Sequence, residues 1–272
     1  ARGVELELNS INVSRADFVW ESNFNVSYTR YRWLERNPDL VLDSWVPVTA
    51  EMSAIYGWET NGIFTGYEQI NSYTNSGGEV LQPKAMPGNL RYVDYNGDGV
   101  LDDNDNHFLG VRTPPWRFGL NNRLQYRNLA LSFYFYGAAG HMRNRDDRST
   151  RLGNATNQGN GWSKNIDRYW TVFNADGDWP GIGQDYTDDE LRTGGGDDFW
   201  LMKANWLKLR YVTLNYDFSS ALVQRIGLGS LSLHVTAQNL LTLTNWKGYD
   251  PETSKNTYPQ TYSFTFGVKV SY

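Results

Sequence analysis

Tyr262 to Tyr272 reads YSFTFGVKVSY, and apolar and polar or small residues change places at every step. Tyr262, Phe264, Phe266, Val268, Val270 and Tyr272 share one face, and Ser263, Thr265, Gly267, Lys269 and Ser271 share the other. A period of two is that of a β-strand with two unlike faces. Two architectures accommodate it. In a soluble sandwich the apolar face turns inward onto a second sheet. In a transmembrane barrel it turns outward to lipid, and the polar face lines a wet interior.

The same alternation recurs along the chain. Val4, Leu6 and Leu8 alternate with Glu5 and Glu7, and Phe18, Trp20, Phe24, Val26 and Tyr28 alternate with Glu21, Asn23, Asn25 and Ser27. Arg117–Arg127 and Leu129–Gly140 place Phe118, Leu120, Leu124, Tyr126, Leu131, Phe133 and Phe135 on one face. The opposite face of the first of these carries Arg117, Asn121, Arg123 and Gln125, which a dry core would tolerate only with a partner for each. In Leu207–Phe218 the apolar phase runs Leu207, Leu209, then Val212, Leu214, Tyr216, and the slip at Arg210–Tyr211 reads as a β-bulge. Ser230–Leu243 sets Leu231, Leu233, Val235 and Ala237 against Ser232, His234, Thr236 and Gln238. These are seven strands, each near the roughly 9–11 residues that cross a bilayer with tilt. The expected fold is all-β, a transmembrane antiparallel β-barrel, and the terminal aromatic Tyr272 matches the closing residue of outer-membrane barrels.

Connection lengths alternate too. They are short at Ser14–Ala16, Arg127–Asn128 and Ser219–Gly229, and long over 31–116, 141–203 and 244–260. Outer-membrane barrels have short periplasmic turns and long external loops, so the long set is expected to be extracellular. The first strand then descends from outside, and the strand count is odd where bacterial single-chain barrels are even. Residues 1–272 are therefore expected to be the C-terminal part of a larger barrel, and they open without a signal-like segment, Ala1-Arg2-Gly3-Val4 running straight into the alternating pattern. Parity assigns the candidate strand Ala54–Phe64 to the first long loop, paired with Leu90–Val93.

Composition removes other classes. Cysteine is absent, which excludes disulfides, thiolate metal sites and thiol nucleophiles. A net charge of -5 without a Lys/Arg block argues against nucleic acid as a partner. The three histidines, His107, His141 and His234, are scattered without a metal or nucleophile motif, and the acidic run Asp188-Asp189-Glu190 has nothing to orient it for catalysis, so no enzyme is expected.

One motif carries metal chemistry. In YVDYNGDGVLDDND, residues 92–105, oxygen-bearing side chains fall at loop positions 1, 3, 5, 9 and 12, namely Asp94, Asn96, Asp98, Asp102 and Asp105, with Gly99 at 6 and the Val100 carbonyl at 7. This is the spacing of an EF-hand-type loop without the flanking helices, and it predicts a structural Ca²⁺ that clips a long connection. The competing reading is an Asx-rich turn that needs no ion.

Taken in order, RGVELEL, FVWESNFNVSY, IYGWETNGIF, PGNLRYVDYNGDGVLDDND, PPWRFGLNNRLQYRNLALSFYFYGAAG, WLKLRYVTLNY, QNLLTLTNWKGYDPE and YPQTYSFTFGVKVSY resemble the C-terminal part of SusC-like (SusC/RagA) TonB-dependent transporters. The resemblance covers essentially the whole chain. It implies the last seven strands of a 22-stranded, plugged barrel in the Gram-negative outer membrane, importing glycans or peptides beneath a SusD-like lipoprotein cap. It also implies that the plug and the segment that contacts TonB lie outside these residues. The alternative from another class is a secreted or surface β-sandwich that binds carbohydrate with a structural calcium.

Aromatic residues divide between two roles. Trp116, Tyr126, Trp206, Tyr216 and Tyr272 sit near strand ends, where barrels place an interfacial girdle. Trp162, Tyr169, Trp170, Trp179, Trp200 and Trp246 lie in or beside the long loops. There they are candidates for contact with a ligand or capping partner, set against local loop packing.

Overall fold

The computed structural model describes residues 1–144, 167–181, 196–248, 250–253 and 258–272. In chain order its strands are β1 (Arg2–Ser14), β2 (Phe18–Arg30), β3 (Ala54–Trp58), β4 (Thr60–Ile63), β5 (Leu90–Tyr92), β6 (His107–Val111), β7 (Trp116–Tyr126), β8 (Leu129–Ala139), β9 (Met142–Asn144), β10 (Gly196–Asp197), β11 (Leu201–Lys203), β12 (Trp206–Asp217), β13 (Ser230–Thr244) and β14 (Ser263–Ser271). Among the described residues there are also two short α-helices, α1 (Tyr67–Ser72) and α2 (Ser220–Arg225), and 3₁₀ turns at Asp103–Asp105 and Asp198–Trp200. No helix among the described residues is long and apolar enough to cross a membrane.

The chain forms two compact units. The first, Ala1–Tyr31, Thr113–His141 and Lys203–Tyr272, is one antiparallel sheet ordered β1-β2-β7-β8-β12-β13-β14, so strands adjacent along the chain within this unit are adjacent in space. Its apolar face is uncovered: Val4 is 74% exposed and Phe266 76%. A sandwich would bury these residues against a second sheet, and no such layer exists among the described residues. The sheet is that of a transmembrane barrel segment.

Two bulges adjust it. Register slips between Leu209 and Tyr211 against both neighbours of β12, where the apolar phase slips in the sequence. A second slip, at Asn12 in β1, has no such signature because the surrounding residues are mixed. Next to it the strict alternation breaks. Ser22 pairs with Asn122 in register on the apolar side, and Asn122 is buried. Each polar group finds a neighbour: Trp20 Nε1 donates to Asn122 Oδ1 at 2.9 Å, Ser22 Oγ to the same oxygen at 2.7 Å, and Asn12 Nδ2 to Ser22 Oγ at 2.7 Å. A closed chain of this kind is what polar atoms at an apolar surface require.

The turn between β7 and β8 has Arg127 at φ 51, a left-handed conformation where glycine is usual. Its amide bonds Asp17 O at 2.9 Å and its guanidinium reaches Asp17 Oδ2 at 3.2 Å, which holds the position without glycine.

The second unit, Arg32–Arg112 and Met142–Met202, is built from the two longest connections. The expected strand Ala54–Phe64 divides at Glu59. Its second half, β4, pairs with β5, within the expected partner Leu90–Val93, but its first half, β3, pairs antiparallel with β6 and parallel with β10. Just past the division the Thr60 amide and hydroxyl both donate to Asp198 Oδ1, at 2.9 and 2.6 Å, while Thr60 stays in register with Tyr92 of β5. Small cores hold the unit: Trp58, Leu90, Tyr92 and Leu101; Phe64, Ile70 and Ala85; and Tyr169, Trp179 and Trp200.

Candidate functional site

The polar face of the seven-stranded sheet is a wall of aromatic and amide groups. Tyr134 and Tyr136 stack along β8 with centroids 5.9 Å apart, Tyr211 lies 5.8 Å from Tyr134, and Tyr211 Oη approaches Asn121 Oδ1 at 3.4 Å. Gly119 makes room for this layer, since a Cβ there would press on the Tyr134 hydroxyl and Asn25. Trp206 belongs here as well, which corrects its assignment to the girdle. Its ring centroid is 4.9 Å from that of Tyr136, and strand parity already puts it on the face opposite Leu207 and Leu209.

A hydrogen-bonded network on this wall surrounds Lys208, which is only 1% exposed. Its Nζ donates to Asp250 Oδ1 at 2.7 Å and Glu252 Oε2 at 3.1 Å. Tyr136 Oη and Gln260 Nε2 also donate to Glu252 Oε2, at 2.6 and 2.9 Å, while the Glu252 and Gln260 amides reach the Asp250 carboxylate at 2.8 and 3.2 Å. Burial acts to raise the Asp250 carboxyl, but the Lys208 hydrogen bond, the two amides and the Lys208 charge outweigh it and hold the group below its ordinary value of 3.8. A depressed carboxyl stabilises the folded form above its unfolded value and ceases to do so as pH falls through the folded one. The contact should therefore survive throughout the range above about pH 4. Proteolysis of the β13–β14 connection in the full-length protein as a function of pH checks this, and loosening already near pH 6 would assign control to another group.

None of Lys208, Asp250 and Glu252 stands out by sequence alone. A lysine between leucines in WLKLRY marks an inward position, and DPE marks a turn, but 42 residues separate Lys208 from Asp250.

In the second unit, the loop at 92–105 closes on itself. Asp94 accepts the Gly97 and Gly99 amides at 2.7 and 2.8 Å, Asn96 Oδ1 the Asp98 amide at 2.8 Å, and Asp98 Oδ1 the Val100 amide at 2.9 Å. Asp102 and Asp105 form a reciprocal capping box around a single 3₁₀ turn. Asp105 is fully buried and accepts the amides of Tyr95, Asn96 and Asp102 at 2.8, 3.2 and 3.0 Å. Burial raises its carboxyl, against the opposing pull of those amides and with the help of Asp94. Gly99, at φ 87, takes the left-handed turn expected at loop position 6, and its carbonyl accepts Asn75 Nδ2 at 3.0 Å. Among the described residues no three acidic or histidine side chains converge as a metal-holding group. The donor set is one a hard cation would accept, and in this arrangement its oxygens are turned toward backbone amides.

Trp170, Trp179, Trp200 and Trp246 are buried, Trp179 completely. Tyr169 and Trp200 meet the Trp179 ring edge-on at 5.3 and 5.5 Å, and the Arg168 guanidinium lies over it at 4.8 Å. These faces are taken up by packing within the chain. Trp162 and the run Asp188-Asp189-Glu190 lie outside the described residues.

No protein-family model matches the chain. Individual relatives do. TonB-dependent receptor P3 of Formosa agariphila is 25% identical over 296 residues, an overlap that covers all of this chain and 28% of the relative. TonB-dependent receptor SusC of Bacteroides thetaiotaomicron is 22% identical over 282 residues, covering 99% of this chain and 26% of SusC. Among solved structures, the RagAB peptide transporter superposes with a TM-score of 0.73 at 21% identity, over 99% of this chain and 29% of that one. The RagAB peptide importer in its closed-closed state gives 0.71 at 22% identity, again over 99% and 29%. The structural likeness bears on the fold. The chain spans little more than a quarter of the curated relatives it matches. These relatives are named as receptors and transporters. Motif order, sheet and relatives converge, and over its whole length the chain is similar to a segment of SusC-like TonB-dependent transporters.

Proposed function

We propose that these residues form part of the wall of an outer-membrane TonB-dependent importer that takes up glycans or peptides with a SusD-like surface lipoprotein. The observation that carries this reading is the seven-stranded sheet with an exposed apolar face and an aromatic, hydrogen-bonding opposite face. Lipid suits the first and a solvated cargo the second. The polar face supplies flat Tyr rings and amide groups, which serve pyranose rings and peptide groups equally and so support either as cargo. The long connections would stand on the cell-surface side, where the cap and cargo meet the barrel. Energy would come from TonB through parts of the protein outside this segment. The test is the full-length protein. It should require detergent and fractionate with the outer membrane, and its deletion should abolish growth on one member of a panel of oligosaccharides and peptides. A parent protein that is soluble and monomeric without detergent overturns the reading.

For the loop at 92–105 the ligand we propose is Ca²⁺, held by Asp94, Asn96, Asp98, Asp102, Asp105 and the Val100 carbonyl. The Asp94 oxygens and Asp98 Oδ1 each accept one amide and keep a lone pair that limited turning of the side chains would present to an ion, whereas Asp105 Oδ1 accepts two amides and would have to give one up. The role is structural: the loop is tied to Asn75 by the Gly99 carbonyl and to Ser44, whose hydroxyl donates to Asn104 at 2.7 Å. Asp98→Ala should abolish Ca²⁺ uptake measured by calorimetry and expose 88–110 to protease, with the barrel still assembled. If chelator leaves the parent loop as protected as before and no heat of binding is seen, the Asx turns alone hold it.

A further inference from the structure

Lys208 and Arg210 belong to the same strand and both reach the chain between β13 and β14, at two places. Lys208 takes Asp250 and Glu252, six and eight residues beyond the end of β13. Arg210 takes Gln260, just before β14, through Nη1 to Oε1 at 2.9 Å, and the same nitrogen reaches Asn239 Oδ1 at 3.3 Å. Asn239 in turn donates to the Thr261 carbonyl at 2.9 Å. We propose that Lys208 and Arg210 are positioning residues that fasten this connection at two places to the polar face of the sheet, so that Glu252 and Gln260–Thr261, seated on the buried Asp250, and not bare strand, form the surface that cargo meets there.

Three observations support this. A lysine with 1% exposure and two carboxylates within 3.1 Å is a buried charge whose compensation comes from the connection itself, so the strand and the connection cannot part without stranding it. The two clamps share Gln260, whose amide group donates to Glu252 while accepting from Arg210, which makes one network of both places. The second clamp is made by the residue at the register slip itself. β13–β14 pairing stops at Gln238↔Ser263, and Asn239, at φ 56, turns its amide to Thr261 where the ladder would have continued. A plain hairpin needs none of these devices.

The proposal rests on the importer reading for the word cargo, but its test does not. Amide hydrogen exchange is measured on the full-length transporter, with heat-modifiable migration confirming that each variant is an assembled barrel. Lys208→Met should accelerate exchange at 250–253 by roughly tenfold or more while the paired amides of β12 and β13 keep parental rates. Arg210→Met should do the same at 260–262, and Lys208→Arg should restore much of the protection at 250–253. Parental exchange at 250–253 in an assembled Lys208→Met barrel overturns the proposal. So does a uniform loosening of β12, β13 and β14, or a failure of Lys208→Arg to rescue, because either would make the pair a general stabiliser. Should Lys208→Met fail to assemble, Asp250→Asn keeps the shape and removes the charge, and the same exchange at 250–253 decides. Loss of the importer reading would show instead as a parent protein that supports no uptake, whatever its exchange.

Discussion

Expressed alone and refolded in detergent, residues 1–272 should not yield a closed, heat-modifiable monomer. The seven-stranded sheet is open, with β1 and β14 as its two edges, and each edge presents a row of backbone N–H and C=O groups over 13 and 9 residues. In water such an edge is solvated. At bilayer depth every unsatisfied group costs several kcal/mol, which is why only closed barrels and helices cross membranes. The expected product is aggregate, or oligomer joined through the edges, on semi-native gels. A discrete monomer whose mobility changes on boiling would mean that seven strands close on themselves and that no further strands complete the wall.

How much of this was legible depends on where the determining contacts lie. The sheet could be read because each of its strands satisfies its own pattern: the pleat alone places Phe264, Phe266, Val268 and Val270 together, and sequential antiparallel order then follows from chain connectivity. The bulge at Arg210 was visible as a one-residue slip of apolar phase. Local exceptions were not. Ser22 and Asn122 break the alternation on two strands, and only the register shows that they face each other. Pairing in the second unit depends on distant chain. β3 finds β6 about 50 residues on, and its approach to β10 needs Gly57, where a Cβ would collide with the Gly196 carbonyl. The loop at 92–105 shows the reverse limit. Its spacing was clear, but Asx turns and a cation use the same residues, so the pattern fixes the loop's shape without fixing its ligand. Lys208 carries the same lesson, since alternation says that it points inward and nothing in the sequence names Asp250 as its partner.

The two faces of β14 should differ sharply in what they tolerate. Phe266 pairs with Val235 on the exposed apolar side, and Thr265 pairs with Thr236 on the polar side, one residue away along the same strand. In the full-length transporter, Phe266→Arg would place a guanidinium in hydrocarbon, at a cost of roughly 2–4 kcal/mol near the bilayer midplane. Thr265→Arg would put the same group into the solvated interior, where it needs no dry partner. Because the substitutions share strand, depth and side chain, propensity and size largely cancel, and the difference reports the environment of each face. Phe266→Arg should lower the fraction of assembled barrel in outer-membrane preparations several-fold, and Thr265→Arg should leave it near the parental level. Equal defects would mean that the polar face is packed against something dry. A worse defect from Thr265→Arg would mean that the sheet is inside out, with the sandwich reading restored.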